Sequence, residues 1–260
     1  MKYLLKDISF FILRAFYPAL DRRASILMYH SIGDNKAFST VREKNFRKQL
    51  QYLQAKKFKI IKLAELIQRL KTGEEVNNCI CLTFDDGYED NYKIAFPLIR
   101  EYNFPITIFL ATGLIGKYFI NSQGIKINTL KEEQIREMSD SGLVEFMPHT
   151  DQHCFLDSVS REEAISEINK SKETVKKITN CQADIFAYPK GRFSKKVARY
   201  LKENDWLGAV GVKEGLVDSQ SDLFNLERNS IDSTTSFIQF RGKISSVINK
   251  YNSIKRCLKF

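Results

Sequence analysis

The sequence has no long apolar run. Its N-terminal stretch, MKYLLKDISFFILRAFYPALDRRAS, reaches only six uncharged residues in a row, Ile8 to Leu13, before Arg14. A membrane-spanning helix needs about 20 apolar residues. A secretory signal needs roughly 7–15 followed by a small-residue cleavage site. Neither pattern is present, so the expectation is a cytoplasmic protein. Cysteine is sparse, odd in number (Cys79, Cys81, Cys154, Cys181 and Cys257) and without repeated spacing. That excludes a disulfide framework and disfavours a zinc knuckle; all five read as reduced thiols. No Pro/Gly/Ser linker, internal repeat or low-complexity stretch divides the chain.

What is present is a globular composition, with 43% hydrophobic and 28% charged residues in 260. This is enough for one large α/β domain with a buried core. Lys and Arg number 41 against 31 Asp and Glu, a net charge of +10. Such a surplus favours anionic partners. No nucleic-acid-binding motif accompanies it, so nucleic acid is not expected as a partner.

Residues 1–24 form a separate amphipathic segment. Phe10, Phe11, Leu13, Phe16 and Tyr17 crowd together, with Lys2, Lys6, Arg14, Arg22 and Arg23 around them. Two readings are open: a peripheral anchor on the anionic inner face of a membrane, or a helix packed on the domain.

From Ser25 to the C-terminus the pattern is that of a single catalytic domain, 25–260. Strands are expected at 25–32, 58–61, 79–84, 105–111, 143–147, 184–189, 206–212 and 223–231. Helices are expected at 44–56, 63–70, 89–102, from Thr129, from Ser160 to about Ile178, at 194–203 and from Ser236 to Leu258, with a loop over 113–128. Thr129 with Glu132, and Ser160 with Glu163, have capping-box spacing. Alternating strands and helices imply a parallel sheet, as a barrel or doubly wound. In a barrel the chemistry collects at the C-terminal strand ends. His30, Asp85 and Asp86, His149, and Tyr188-Pro189 all fall at such ends.

Two adjacent carboxylates at the end of an apolar strand, in CLTFDDGYEDNY (81–92), need a reason, because burying either without a partner is costly. Only three histidines exist: His30, His149 and His153. His149 and His153 are four apart, which on a helical turn puts both rings on one face. Two imidazoles and one carboxylate make an open metal site. A bound cation polarises a carbonyl and acidifies water, and a carboxylate beside it can take the proton. His30, the histidine left over, is the natural acid for the leaving group. The competing reading for His30 is a core histidine held by a backbone bond. Arg192 reads as a surface ion-pair partner, and Cys154 as packing.

These residues resemble the polysaccharide deacetylases, carbohydrate esterase family 4. TFDDG (83–87) is similar to the family's first motif, HTDQH (149–153) to its second and FAYPKGRF (186–193) to its third. LMYHSI (27–32) resembles the opening strand of the poly-N-acetylglucosamine deacetylase branch. The resemblance covers about 25–232. It implies a distorted (β/α)7-type barrel and a metal-dependent hydrolase that removes N-acetyl groups from a sugar or glycan. It also implies that Asp85 is the base, that Asp86, His149 and His153 hold the metal, and that His30 is the acid. The metal implied is Zn2+, with Co2+ or Ni2+ as alternatives. Arg228 is the candidate to orient the base. Tyr88, Tyr188 and Pro189 are the candidates for substrate contact.

The sequence departs from the family at Met147-Pro148, before His149, and at Lys190, where this branch commonly has an aromatic. With no export signal, the expected substrate is an intracellular or lipid-linked glycan intermediate. The alternatives are an O-acetyl esterase acting on a polysaccharide and a catalytically degenerate carbohydrate-binding protein.

Overall fold

The computed structural model describes residues 2–16 and 22–257. Seven parallel strands make the frame: β1 (Ser25–Tyr29), β2 (Cys79–Phe84), β3 (Ile106–Leu110), β4 (Val144–Pro148), β5 (Ile185–Ala187), β6 (Gly208–Val210) and β7 (Asn229–Ser230). Continuous ladders run β7-β1-β2-β3-β4, and β5 pairs with β6. A single parallel bridge, Val210 to Leu226, links β6 to the segment leading into β7. Among the described residues, β4 and β5 share no ladder. The result is a distorted (β/α)7 barrel. A short extra strand, Lys59–Ile60, pairs beside the start of β2.

Both faces of the sheet are buried, which explains the nearly continuous apolar strands. Successive side chains point to opposite faces. Leu27, Tyr29, Leu82, Phe84, Ile106 and Ile108 pack with helices 43–55, 96–102 and 132–140. Ile26, Cys81, Phe109, Met147, Ile185 and Val210 pack together in a second cluster, with Leu63, Leu66 and Ile67 of helix 63–72. Cys81 is wholly buried among these apolar groups, and burial pushes its thiol pKa up. It serves as a small apolar side chain.

Several expectations are corrected. The stretch 113–128 is not simply a loop: Tyr118–Ile120 and Lys126–Asn128 pair as an antiparallel hairpin. Thr129 does not cap the next helix. Its hydroxyl donates to the Leu114 carbonyl and accepts from the Lys117 N–H, so it is committed to that excursion. The helix starts at Glu132, where the Gln134 side chain accepts from the Lys131 N–H. Ser160 does cap helix 161–179, accepting from the Glu163 N–H at 3.1 Å. The expected helix over 89–102 opens as a π-helical turn at Asn91–Ala95 before becoming α-helical. The C-terminal helix is two, Phe237–Lys243 and Val247–Cys257. The break lets Ile244 join the main core while Val247 and Ile248 face the N-terminal helix.

That N-terminal helix, α1 (Lys2–Phe16), docks on the last two helices. Phe10 is buried against Gly242, Tyr251 and Val247. Asp7 accepts hydrogen bonds from Ser236 and Gln239 at 2.7 and 2.6 Å. Phe11 is 70% exposed, and Ile8 and Ile12 also face outward. The side chains of Lys2, Arg14 and Phe16, and all of Tyr17, lie outside the described residues.

The close approach at Gly242 supplies a test. A Cβ there would lie 2.0 Å from Cδ1 of Phe10, a clash with a buried ring rather than with a flexible tip. Overpacking of this kind costs about 1–3 kcal/mol. Gly242→Ala is expected to lower the thermal midpoint by several degrees. An unchanged midpoint would show that α1 does not dock as described.

Candidate active site

The strand registers bring the chemistry together. Tyr29 pairs with Phe84, and the Asp85 N–H donates to the Tyr29 carbonyl at 3.0 Å. His30 and Asp85 therefore leave adjacent strands side by side. Leu110 pairs with Pro148, and the His149 N–H donates to the Leu110 carbonyl at 2.9 Å, which fixes where the histidine loop begins.

Asp86 and Gly87 turn the chain sharply, with φ of 72° and 67°. Aspartate tolerates this left-handed conformation better than most residues. Gly87 is required for space as well, since a Cβ there would meet Leu110 Cδ2 at 2.6 Å. His149 and His153 do not sit on a helical turn, as their spacing suggested. They belong to an irregular loop in which Thr150 and His153 are left-handed, with φ of 63° and 55°. The rings nonetheless converge, their centroids 5.0 Å apart.

Asp86, His149 and His153 each turn one ligand atom into a common space, all within 4.8 Å of one another. Asp86 Oδ1 lies 3.2 Å from His153 Nε2 and 3.6 Å from His149 Nε2. It is buried and makes no hydrogen bond. An orphaned carboxylate oxygen facing two imidazole nitrogens is the donor set of a divalent cation, and the residues fit one. His149 Nδ1 lies 2.7 Å from the Ala187 carbonyl. That bond requires the proton on Nδ1 and leaves the Nε2 lone pair facing Asp86. Burial holds the His149 pKa down at about 4, so the ring is neutral at physiological pH. Tyr88 lies beside Asp86. Burial first, then the Asp86 charge, raises the Tyr88 pKa.

Asp85 has a different environment. Arg228 Nη1 and Nη2 donate to its two oxygens, each at 2.7 Å. Arg228 is fully buried, and its remaining donors reach the Gly211 carbonyl at 2.8 Å and the Thr83 hydroxyl at 3.2 Å. Burial alone would raise the Asp85 pKa. The guanidinium charge, joined by nearby histidines and the paired hydrogen bonds, overcomes it and holds the carboxyl below its usual range. The two adjacent aspartates thus have distinct partners, an arginine fork for Asp85 and an imidazole pair for Asp86.

A cavity of about 260 Å³ joins His30, Asp85, Asp86, His149 and His153. The His30 main-chain carbonyl accepts from Asn91 Nδ2 at 2.8 Å, while its ring faces this cavity. Three sequence candidates are placed differently from their assignment to substrate contact. The Tyr88 side chain is buried between Ala37 and Ile127. Tyr188 is buried and stacked on Phe193 with centroids 3.9 Å apart, and its hydroxyl donates to the Phe224 carbonyl. Pro189 is buried at the start of a tight turn. None of the three lines the cavity. Its rim is instead Phe38, Ser39, Lys190, Val212, Ser230 and Asp232, with Met28 also in its wall. Apart from Lys190, noticed only as a departure, no pattern in the sequence marked these residues. Arg192 pairs with Asp157 at 3.0 Å on the surface, and Cys154 is half-buried packing.

The barrel carries at its strand ends a two-histidine, one-aspartate cluster that fits a divalent metal. Residues 72–207 match the polysaccharide deacetylase family profile. YxkH of Bacillus subtilis is 30% identical over 226 residues, which cover 85% of this chain and 76% of that one. The poly-beta-1,6-N-acetyl-D-glucosamine N-deacetylase of Staphylococcus epidermidis is 29% identical over 73% of this chain and 67% of that one. Among solved structures, the Streptococcus pyogenes deacetylase PplD, in complex with acetate, superposes with a TM-score of 0.75 at 26% identity. The match covers 85% of this chain and 98% of PplD. IcaB from Ammonifex degensii shares the fold, with a TM-score of 0.74 at 19% identity over 86% of this chain and 97% of IcaB. The chain belongs to the polysaccharide deacetylase family.

The Arg228–Asp85 pair yields a stability prediction. Both side chains are almost wholly buried, and removing one partner of such a pair costs about 3–5 kcal/mol because the other charge is stranded. Arg228→Met should show that loss in denaturant melts. Arg228→Met combined with Asp85→Asn should lose clearly less than the sum of the two single variants. Strict additivity would mean that the pair is not coupled.

Proposed function

We propose that the protein removes N-acetyl groups from an acetylated glycan, an intracellular or lipid-linked intermediate, with zinc held by Asp86, His149 and His153. The observation that carries this reading is the shared cavity. It brings an arginine-pinned carboxylate, a metal-ligand triad and a separate histidine within one substrate-sized space. The family match and the N-deacetylase named among the relatives favour an amide over an ester.

Asp86, His149 and His153 would hold a divalent ion, which would supply polarisation of the acetyl carbonyl and a lowered pKa for water, so that even a weakly basic carboxylate could take its proton. Asp85 is the group placed to take that proton, ionised and aimed by Arg228. The water oxygen bonds to the acetyl carbon, and the carbon–nitrogen bond breaks. His30 donates a proton to the departing amine, giving acetate and a free amino sugar. The Tyr88 side chain packs with Ala37 and Ile127 rather than facing the sugar.

Features of α1 and the tail support a peripheral membrane location. No described helix is long and apolar enough to cross a membrane. Phe11, Ile8 and Ile12 nevertheless face outward on α1, beside a C-terminal helix that exposes Ile254, Lys255 and Arg256. An apolar face flanked by basic residues suits the surface of an anionic bilayer. The five free cysteines fit a reducing compartment. We therefore place the protein at the cytoplasmic face of the membrane.

The chemistry is tested by acetate release from N-acetylglucosamine oligomers and from an acetylated lipid-linked sugar. Release should stop with a chelator, return with Zn2+, and fall by at least about 100-fold in Asp85→Asn. Release that survives both changes would overturn the assignment. The location is tested by flotation with anionic vesicles. Wild-type protein should float and Phe11→Ser should float markedly less. Equal recovery of the two would remove the membrane reading.

A further inference from the structure

The cavity has a rim that the deacetylation chemistry does not use. Phe38 and Val212 line it while 51% and 40% exposed. Lys190 is the one lysine or arginine among its lining residues. Its ammonium has no ion pair or hydrogen bond among the described residues, whereas other charges of the cavity are engaged. Asp85 is held by Arg228, Asp86 faces the two histidines, and Asp232 accepts from Thr234 and Thr235.

Lys190 is also held in place. Its backbone is left-handed, with φ of 54°, in a turn closed by Gly191 N–H to the Tyr188 carbonyl at 2.8 Å and Arg192 N–H to the Pro189 carbonyl at 3.0 Å. Gly191 lets Val212 approach so closely that a Cβ would meet it at 2.4 Å. A non-glycine residue in this conformation is strained and persists only where its surroundings enforce it. Here the turn sets a free cation at the mouth of a site for an acetylated sugar.

We infer that Lys190 is a specificity residue, and that the preferred substrate carries an anionic group, a phosphate or a carboxylate, on or next to the acetylated sugar. Phe38 and Val212 offer the apolar surface for the sugar ring, and Lys190 pairs with the anion. This deepens the glycan reading above and rests on it. A lysine offers a point charge rather than a bidentate fork. It therefore selects for charge, and the identity of the anion is left to the probes.

The test is equilibrium binding to the metal-loaded full chain, with three probes: N-acetylglucosamine, its 6-phosphate and N-acetylmuramic acid. The phosphate and carboxylate arms distinguish the two kinds of anion. Wild-type protein should bind at least one anionic probe about tenfold more tightly than the neutral sugar, with the preference shrinking as salt rises. Lys190→Met should abolish the preference, and Lys190→Arg should restore it. A wild-type protein with no preference would overturn the inference. So would a preference that survives in Lys190→Met, which would assign it to direct anion–metal contact. Acetate release is scored separately on the same preparations. Its absence would remove the deacetylase reading, while the binding comparison would still decide the role of Lys190.

Discussion

The fork between Arg228 and Asp85 is the constraint on which the site depends. Arg228 comes from the segment entering the last strand, and Asp85 from the end of the second. The same guanidinium reaches Gly211, just past the sixth strand, and Thr83, whose hydroxyl in turn donates to Leu27 on the first. One buried cation thus ties together four parts of a barrel whose ladders are incomplete. Taking a guanidinium out of water costs several kcal/mol and is sustained only when its donors are satisfied. The pair is therefore a poor source of net stability but a strong source of position. A small shift of the last strand would strand a charge.

Three of the nine described non-glycine residues with positive φ lie in the candidate metal site. Asp86, Thr150 and His153 are all non-glycine residues with positive φ, and Gly87 continues the turn. Each such residue carries a cost on the order of 1–3 kcal/mol. The unpaired Asp86 oxygen adds a desolvation penalty. Hydrogen bonds around the site hold the arrangement in place. His149 is fixed by Ala187, and Asp151 within the loop accepts from Thr112, Gln152 and Lys170. A cation would relieve the Asp86 penalty directly, so metal binding and the rigidity of this loop should reinforce one another.

The sequence made some parts of this legible and hid others for physical reasons. Strand-end carboxylates and a scarcity of histidines are local facts, and parallel strands bring their ends together, so Asp85, Asp86, His149, His153 and His30 could be picked out before any coordinates. The geometry of the histidine pair could not, because a spacing of four is also produced by a loop with two left-handed residues. Tyr88, Tyr188 and Pro189 were drawn toward the substrate by their motifs, but aromatic and proline side chains beside a site are as easily used to pack it. Apart from Lys190, the rim was hidden. Phe38 and Val212 come from segments far apart in the chain, and no periodicity records which loop tips share a cavity. The break at Ile244 was hidden in the same way, since its cause is the docking of α1 onto the final helices.

A base tied to arginine poses an apparent contradiction, because the charge that orients Asp85 also weakens it. Each unit by which a carboxyl pKa is lowered removes about 1.4 kcal/mol of proton affinity. Correct placement of a reacting group can be worth roughly 7–11 kcal/mol. Unless the depression is several units, orientation wins. The fork engages both oxygens of Asp85 but does not exhaust their lone pairs, since an ionised carboxylate has about four acceptor sites. His30 is brought alongside by the pairing of Tyr29 with Phe84, so the proposed donor and acceptor are set by the same two strands. In the proposed reaction Asp85, held ionised at neutral pH by Arg228, takes the water's proton and His30 gives one to the amine, while burial keeps His149 neutral.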